Sequence, residues 1–242
     1  MDISRFSKFA YGVLIYNLLV IMWGALVRAT GSGAGCGAHW PLCNGEVVPR
    51  TPQVETIIEF THRLTSGLSM LIIIVLVLWA FRAFPKGHLA RYSSLAAFAF
   101  VVISALIGAW IVLAGLVETN DSRERAAILS VHLVNTFLLL AALFVAGWSG
   151  TGERILKIRG HGSISFLLMT AVIGTAFAGM SGAVTSLGDT LFPPGSTAEA
   201  IQAGLSPSAH FLIRLRLWHP FIAIAVSLYL IFAASMIADL KA

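Results

Sequence analysis

The chain has 242 residues, 57% of them hydrophobic and only 11% charged, with a formal net charge of +5 and a mean hydropathy of +0.86. Soluble domains carry about 25% charged residues, so this composition excludes a soluble single-core domain and makes a bilayer the natural solvent. The sequence pI of about 9.6 suits contact with anionic lipid at an inner membrane face rather than with nucleic acid.

A helical span needs about 20 apolar residues. Six such stretches follow one another, near residues 9–27, 61–81, 93–117, 126–148, 164–184 and 211–237. They are continuously apolar rather than alternating, which predicts helices and not barrel strands. The expected fold class is an all-α polytopic membrane protein: a four-helix bundle followed by half of a second, repeat-related bundle. The expected domains are residues 1–150 and 151–242.

The first span is too long for a cleavable signal and lacks a clean small-residue cleavage site. The short tail before it has no transit-peptide character, so a bacterial or archaeal plasma membrane is expected. One side of the membrane collects Arg5, Lys8, Arg82, Lys86, Arg91, Arg154, Lys157, Arg159 and Lys241, with only Asp2, Glu153 and Asp239 among the acids. The other collects Arg28, Arg50, Arg63, Arg123, Arg125, Arg214 and Arg216. Every lysine is on the first side, which the positive-inside rule makes cytoplasmic. Both termini are then inside, and segments 28–60, 118–125 and 185–210 face outward. The outer arginines sit at span edges or beside histidines, placed for an anionic ligand; the plainer alternative is interfacial snorkelling.

The first span runs into Trp23-Gly-Ala-Leu-Val-Arg-Ala-Thr-Gly-Ser-Gly33, and the outer segment continues as Cys36-Gly-Ala-His-Trp-Pro-Leu-Cys43. Outside the cytoplasm a disulfide between Cys36 and Cys43 can persist. The rivals are two free thiols, or a metal site with His39. The pair has no second Cys-x-x-Cys partner for zinc, which favours the disulfide. The fifth span ends in Ala178-Gly-Met-Ser-Gly-Ala-Val-Thr-Ser-Leu-Gly188, again a small-residue helix end opening into a glycine-rich segment. In both places a span that opens with histidine and arginine follows: His62-Arg63 in one, Arg214, Arg216 and His219 in the other. This weak repeat makes spans five and six the start of a second unit.

Ionisable residues inside spans are costly and usually functional. His88 and His161 fall in inner loops, where solvation is expected, and His39 and His210 at outer edges. His62, His132 and His219 lie within apolar helices. His132 is about six residues into span four, roughly 9 Å deep, with His219 at similar depth and His62 near the outer start of span two. A lone histidine in a span more often bonds a neighbouring helix. Three in one layer, with Arg28, Arg63, Arg214 and Arg216 above them, predict axial ligation of haem iron, its propionates turned to the arginines. Glu59 precedes His62 by three residues and shares its helix face, placed to handle protons. A helix-start acid answering the macrodipole is the plainer alternative.

These residues resemble the haem A synthase family. The carrying motifs are Val27-Arg-Ala-Thr-Gly-Ser-Gly33 leading to Trp40-Pro-Leu-Cys43, then Glu59-Phe-Thr-His62-Arg63-Leu64, then Val131-His132-Leu133. Arg214-Leu-Arg-Leu-Trp-His219-Pro220 resembles the corresponding element of the family's second half, so the likeness spans nearly the whole chain. It implies two four-helix bundles and oxidation of the C8 methyl of haem O to the formyl of haem A, for terminal oxidases, with haem b as redox cofactor. It implies that His62 and His132 flank the substrate haem, that Glu59 is the essential acid, and that His219 is an axial ligand of the cofactor haem. Arg28, Arg63 and Arg216 join the haem-binding residues, and Cys36 and Cys43 pair. The family pattern continues through spans seven and eight, the last with the second cofactor-haem ligand. This chain ends at Ala242, so either truncation or another partner for His219 is expected.

Expected partners are haem O, a haem O synthase, oxidase assembly factors and lipid, and a homo-oligomer is compatible with the sequence. A b-type haem electron carrier would use the same histidines without needing Glu59. A transporter or assembly protein without haem would be colourless.

Overall fold

A computed structural model of the chain describes residues 4–151 and 162–239. Asp2, Glu153, Arg154, Lys157, Arg159, His161 and Lys241 of the sequence reading lie outside the described residues. Among the described residues the regular structure is helical: α1 Arg5–Ala29, α2 Val54–Ala83, α3 Leu89–Leu113, α4 Arg123–Ser149, α5 Gly162–Leu191, α6 Thr197–Leu205, α7 Phe211–Arg216 and α8 His219–Asp239. A 3₁₀ turn at Ser32–Ala34 follows α1.

α1 to α5, and α7 with α8 taken together, make six segments long and apolar enough to cross a membrane. Long apolar side chains stand exposed along them, among them Met22, Leu71, Leu106, Phe166 and Ile231. Exposed apolar surface on this scale belongs in lipid, and the chain is a multi-pass helical membrane protein.

Residues 4–128 with 135–151 form one compact unit, and 129–134 with 162–239 a second. The first unit's core is built by four helices: Phe6, Ala10 and Val13 from α1, Ile73, Leu76 and Ala80 from α2, Ala90, Ala97 and Val101 from α3, and Leu139, Leu143 and Ala146 from α4. Polar ties add register where apolar packing alone would let helices slide. Ser69 Oγ donates to Asn17 Oδ1 at 2.7 Å, and Asn17 Nδ2 donates back to Val13 O at 2.9 Å. Tyr16 OH donates to Thr65 O at 2.9 Å and Trp23 Nε1 to Ile58 O at 3.1 Å. Asn135 Nδ2 ties α4 to α3 through Phe100 O and Ser104 Oγ. In the second unit α5 packs on α7 and α8, and Tyr229 OH reaches Leu167 O at 3.2 Å.

Helix ends follow local chemistry. Ser4, Ser122 and Ser196 cap α1, α4 and α6 through their hydroxyls. His88 caps α3 with Nδ1 and stacks on Phe84 with ring centroids 4.4 Å apart, so it is a half-buried cap rather than a solvated loop residue. α3 stops at Leu113, short of the expected Val117, where Gly115 takes a left-handed φ of 64°. α2 begins at Val54, seven residues before the expected start, and so carries Glu59 as well as His62. The expected sixth span is interrupted at Leu217–Trp218, between α7 and α8. Pro220 lacks an N–H and its ring crowds the carbonyl four residues earlier, which stops α7 at Arg216.

Candidate functional site

In the first unit the site is organised by α2 and the loop before it. Cys36 and Cys43 are joined in a disulfide, both fully buried. The disulfide consumes both thiolates that a metal site with His39 would need, and His39 is exposed. The loop is closed further by Asn44 N–H to Cys36 O and Cys43 N–H to Glu46 O, both 2.9 Å.

This loop is docked onto Glu59 and Arg63. Cys36 N–H donates to Glu59 Oε2 at 2.8 Å, while Arg63 Nε donates to Glu59 Oε1 at 3.1 Å and Nη2 reaches the same oxygen. Arg63 Nη1 donates to His39 O at 2.7 Å and Leu42 O at 2.8 Å. Both carboxylate oxygens are therefore engaged, and the guanidinium bridges the acid to two carbonyls inside the disulfide loop. Glu59 is buried, and its four-residue spacing to Arg63 is the helical ion-pair spacing.

His62 is half-buried on the same helix, and its imidazole lies against Gly24 of α1. Arg28, in the last turn of α1, has its Nε buried without a hydrogen-bond partner. Arg125, in the first turn of α4, is one of the outer arginines of the sequence but is not among the expected haem-binding residues. It is 6% exposed, donates from Nη1 to Glu118 O and Asn120 O, and keeps its own Nε buried and unpaired. Arg28 lies within electrostatic range of it. Two neighbouring cations with unspent buried donors suit an anionic group. His132 is half-buried on α4, in the stretch 129–134 that groups with the second unit.

In the second unit, His219 opens α8 and is half-buried. Its Nδ1 lies 2.9 Å from Ser181 Oγ on α5. Ser181 has one hydroxyl hydrogen and donates it to Ala178 O at 2.8 Å. While that hydrogen is on Ala178 O, the oxygen is free to accept from His219 Nδ1–H, and in that tautomer the lone pair is on Nε2. That is the tautomer of a metal-ligating histidine with its other nitrogen tied to a second partner. Arg216 is buried and donates to Asp189 Oδ1 at 3.0 Å and Phe192 O at 3.2 Å. Arg214 is exposed, and His210 caps α7 beside Phe192. The sequence reading missed Ser181, Gly24 and Gly182; their signal was the small-residue pattern at the two repeated helix ends.

A multi-pass helical bundle with paired loop cysteines and histidines near its helix ends is the class of protein these features define. The chain belongs to the COX15-CtaA family of cytochrome oxidase assembly proteins, whose profile matches residues 7–241. It is 56% identical over 238 residues to a protein of Thermus thermophilus named protoheme IX farnesyltransferase, covering 98% of this chain and 39% of that relative. It is 43% identical over 126 residues to the heme A synthase of Alkalihalophilus pseudofirmus, covering 52% of this chain and 40% of the relative. With the heme A synthase of Halalkalibacterium halodurans it shares 34% over 208 residues, covering 82% and 66%. The chain thus spans about two fifths to two thirds of the length of these relatives.

Proposed function

We propose that this chain is a haem A synthase, or the corresponding part of one, that oxidises the C8 methyl of haem O to a formyl group. The observation that carries the reading is a half-buried histidine, His219, tied through Nδ1 to Ser181 of the preceding span, so that Nε2 is the ring nitrogen outside that bond, within a chain of this family. The unspent donors of Arg28 and Arg125 add a place for carboxylates in the first unit.

The reading assigns residues 1–150 to the substrate haem and 151–242 to a haem b cofactor. His62 and His132 are its substrate-side ligands, and His219 its cofactor-side ligand. Taking the methyl to a formyl removes four electrons and four protons and brings in one oxygen at the level of water; a haem b held at His219 would supply a one-electron carrier that passes those electrons on to an external acceptor. The protein's own tasks are to orient and to move protons. Glu59 is the proton handler, and its position is fixed by the loop: Cys36 N–H holds Oε2 and Arg63 holds Oε1. Any proton taken at Oε1 competes with the Arg63 guanidinium, so proton transfer there is coupled to the loop carbonyls that Arg63 also holds.

The charge pattern supports unlike roles for the two halves. Three residues before the histidine, the first half carries Glu59 and the second carries Arg216, paired to Asp189. An acid adjoining the histidine suits the half that deprotonates its substrate, and the second half, with Arg216 at that place and bound to Asp189, offers no such base there. The name of the Thermus relative refers to farnesyl transfer, and the match covers 39% of that protein. We assign that reaction to the part outside the match.

The reading further places the protein in a bacterial or archaeal plasma membrane with both termini inside, near the enzyme that makes haem O. The test is pigment extraction and chromatography on protein purified from cells that make haem O. Haem O or haem A beside haem b is expected. Haem b alone overturns the synthase reading in favour of an electron carrier, and colourless protein overturns haem binding. Formation of haem O from protohaem and a farnesyl donor by the purified chain would overturn the division of labour with the Thermus relative.

A further inference from the structure

Each unit contains a helical glycine on which a histidine rests. A Cβ built on Gly24 would lie 2.9 Å from His62 Cε1 and 3.1 Å from Nε2. One built on Gly182 would lie 3.1 Å from His219 Cε1 and 3.4 Å from Nε2. Gly24 precedes His62 by 38 residues and Gly182 precedes His219 by 37, so the contact recurs at matching places in the two repeats. Each time, the glycine is on the span before the histidine's own, α1 before α2 and α5 before α7–α8, and the ring atoms it meets are those at the Nε2 edge.

Glycine inside a helix is entropically costly, and neither position has a left-handed backbone to justify it. Gly12 and Gly67, also helical, would place a Cβ in open space, whereas Gly147, Gly188 and Gly204 approach Tyr11, Leu212 and Leu217 as closely; what sets Gly24 and Gly182 apart is that the group they meet is an imidazole, at matching places in the two repeats. At Gly24 the group that must yield to a methyl is the far end of a side chain. The backbone can stay while the imidazole moves. At Gly182 the contact is looser, and Nδ1 is tethered by Ser181.

We propose that Gly24 and Gly182 are positioning residues whose missing side chains seat the His62 and His219 imidazoles and fix where each Nε2 points. The significance for haem rests on the reading above; the seating itself does not. Ring placement by the hydrogen at a glycine Cα complements the Nδ1 tether: the serine holds the Nδ1 edge of His219, and the glycine sets how closely the ring lies on α5. In the first half Trp23 stands where Ser181 stands in the second, and it spends its indole N–H on Ile58 O.

The test uses the full chain with Gly24→Ala and Gly182→Ala, and with Gly12→Ala and Gly67→Ala as controls. In haem-free protein, diethyl pyrocarbonate modification is followed at each histidine by peptide mass. Gly24→Ala should make His62 react several-fold faster, because the ring is pushed off α1, with His219 unchanged. Gly182→Ala should do the reverse, by a smaller factor. In pigmented protein each change should shift the low-spin ferric resonance of one haem and weaken its retention about tenfold, the scale of losing a supporting contact to a metal ligand. Thermal midpoints should stay near those of the controls. The seats are refuted if Gly24→Ala matches Gly12→Ala at His62, or if both histidines loosen in every variant. Colourless wild-type protein would defeat the haem reading alone, since the haem-free measurement still decides the seats.

Discussion

Arg63 makes four donor contacts, two to Glu59 Oε1 and one each to His39 O and Leu42 O, from a side chain 14% exposed. A guanidinium is suited to this because its planar fork presents several fixed donors, whereas an ammonium is a single point charge. Removing one member of a buried pair leaves the other charge uncompensated, at a cost of about 3–5 kcal/mol. Arg63→Ala should therefore lower the thermal midpoint in detergent sharply and expose the disulfide loop to proteolysis. Arg63→Lys should recover only a minor part of the loss. An unchanged midpoint in Arg63→Ala would show that the loop is held by the disulfide alone. Ser181→Ala tests the other half. An interhelical hydrogen bond in a membrane averages about 0.6 kcal/mol, so stability should barely change, while loss of the ligand's supporting partner should weaken haem b retention by about 10–100-fold. Retention equal to wild type in a haem titration would remove the tautomer argument.

Glu59, His62, His132, His219 and the two cysteines are visible in sequence because polar groups in apolar surroundings announce themselves. What they bond to is a different matter. The spacing of Glu59 and Arg63 was available as a helical ion-pair signal, yet the sequence reading directs Arg63 toward propionates. Its two loop carbonyls, 21 and 24 residues away in the chain, could not be anticipated from spacing. Ser181 and the glycines looked like helix-end filler, and their role appears only once α5 meets α8.

At the scale of the elements, spans were legible through continuous hydropathy, and their ends were not. Helix formation does not stop where apolarity stops. α2 extends back to Val54 through Glu55, Thr56 and Glu59, because the disulfide loop, rather than lipid, receives Thr56 and Glu59. Thr56 Oγ1 donates to Gly35 O at 2.7 Å, and a Cβ on Gly35 would lie 2.4 Å from both Glu55 C and Glu55 O. Here the opposing atoms are backbone and cannot swing aside, unlike the imidazole at Gly24. Gly35→Ala should therefore displace the loop from the start of α2 and destabilise the protein by about 1–3 kcal/mol, the usual cost of overpacking. Gly12→Ala meets nothing within 4 Å and should be neutral or stabilising by a few tenths up to about 1 kcal/mol. Thermal unfolding of the two variants side by side separates them; equal midpoints would mean that the loop is free to lift from α2 without loss.

At the scale of the whole molecule, the sidedness of the spans decides whether the disulfide loop faces an oxidising compartment. Arg82, Lys86 and Arg91 border the connection between α2 and α3, whereas the segment before α2 carries the disulfide with Glu46 and Arg50. Positive charge near span ends is retained on the cytoplasmic side, and disulfides persist on the other; the two rules agree on one orientation from separate physics. With Cys36 and Cys43 paired and no other cysteine in the sequence, a single introduced thiol reports its own side. Val48→Cys and Lys86→Cys both fall at exposed positions at opposite ends of α2. In intact cells a membrane-impermeant maleimide should label Val48→Cys, and should label Lys86→Cys only after permeabilisation. The reverse pattern would invert the topology and place the disulfide in a reducing compartment. Labelling of both from one side would show that α2 does not cross the bilayer, and the histidine on it would then lie at the membrane surface instead of within the apolar layer.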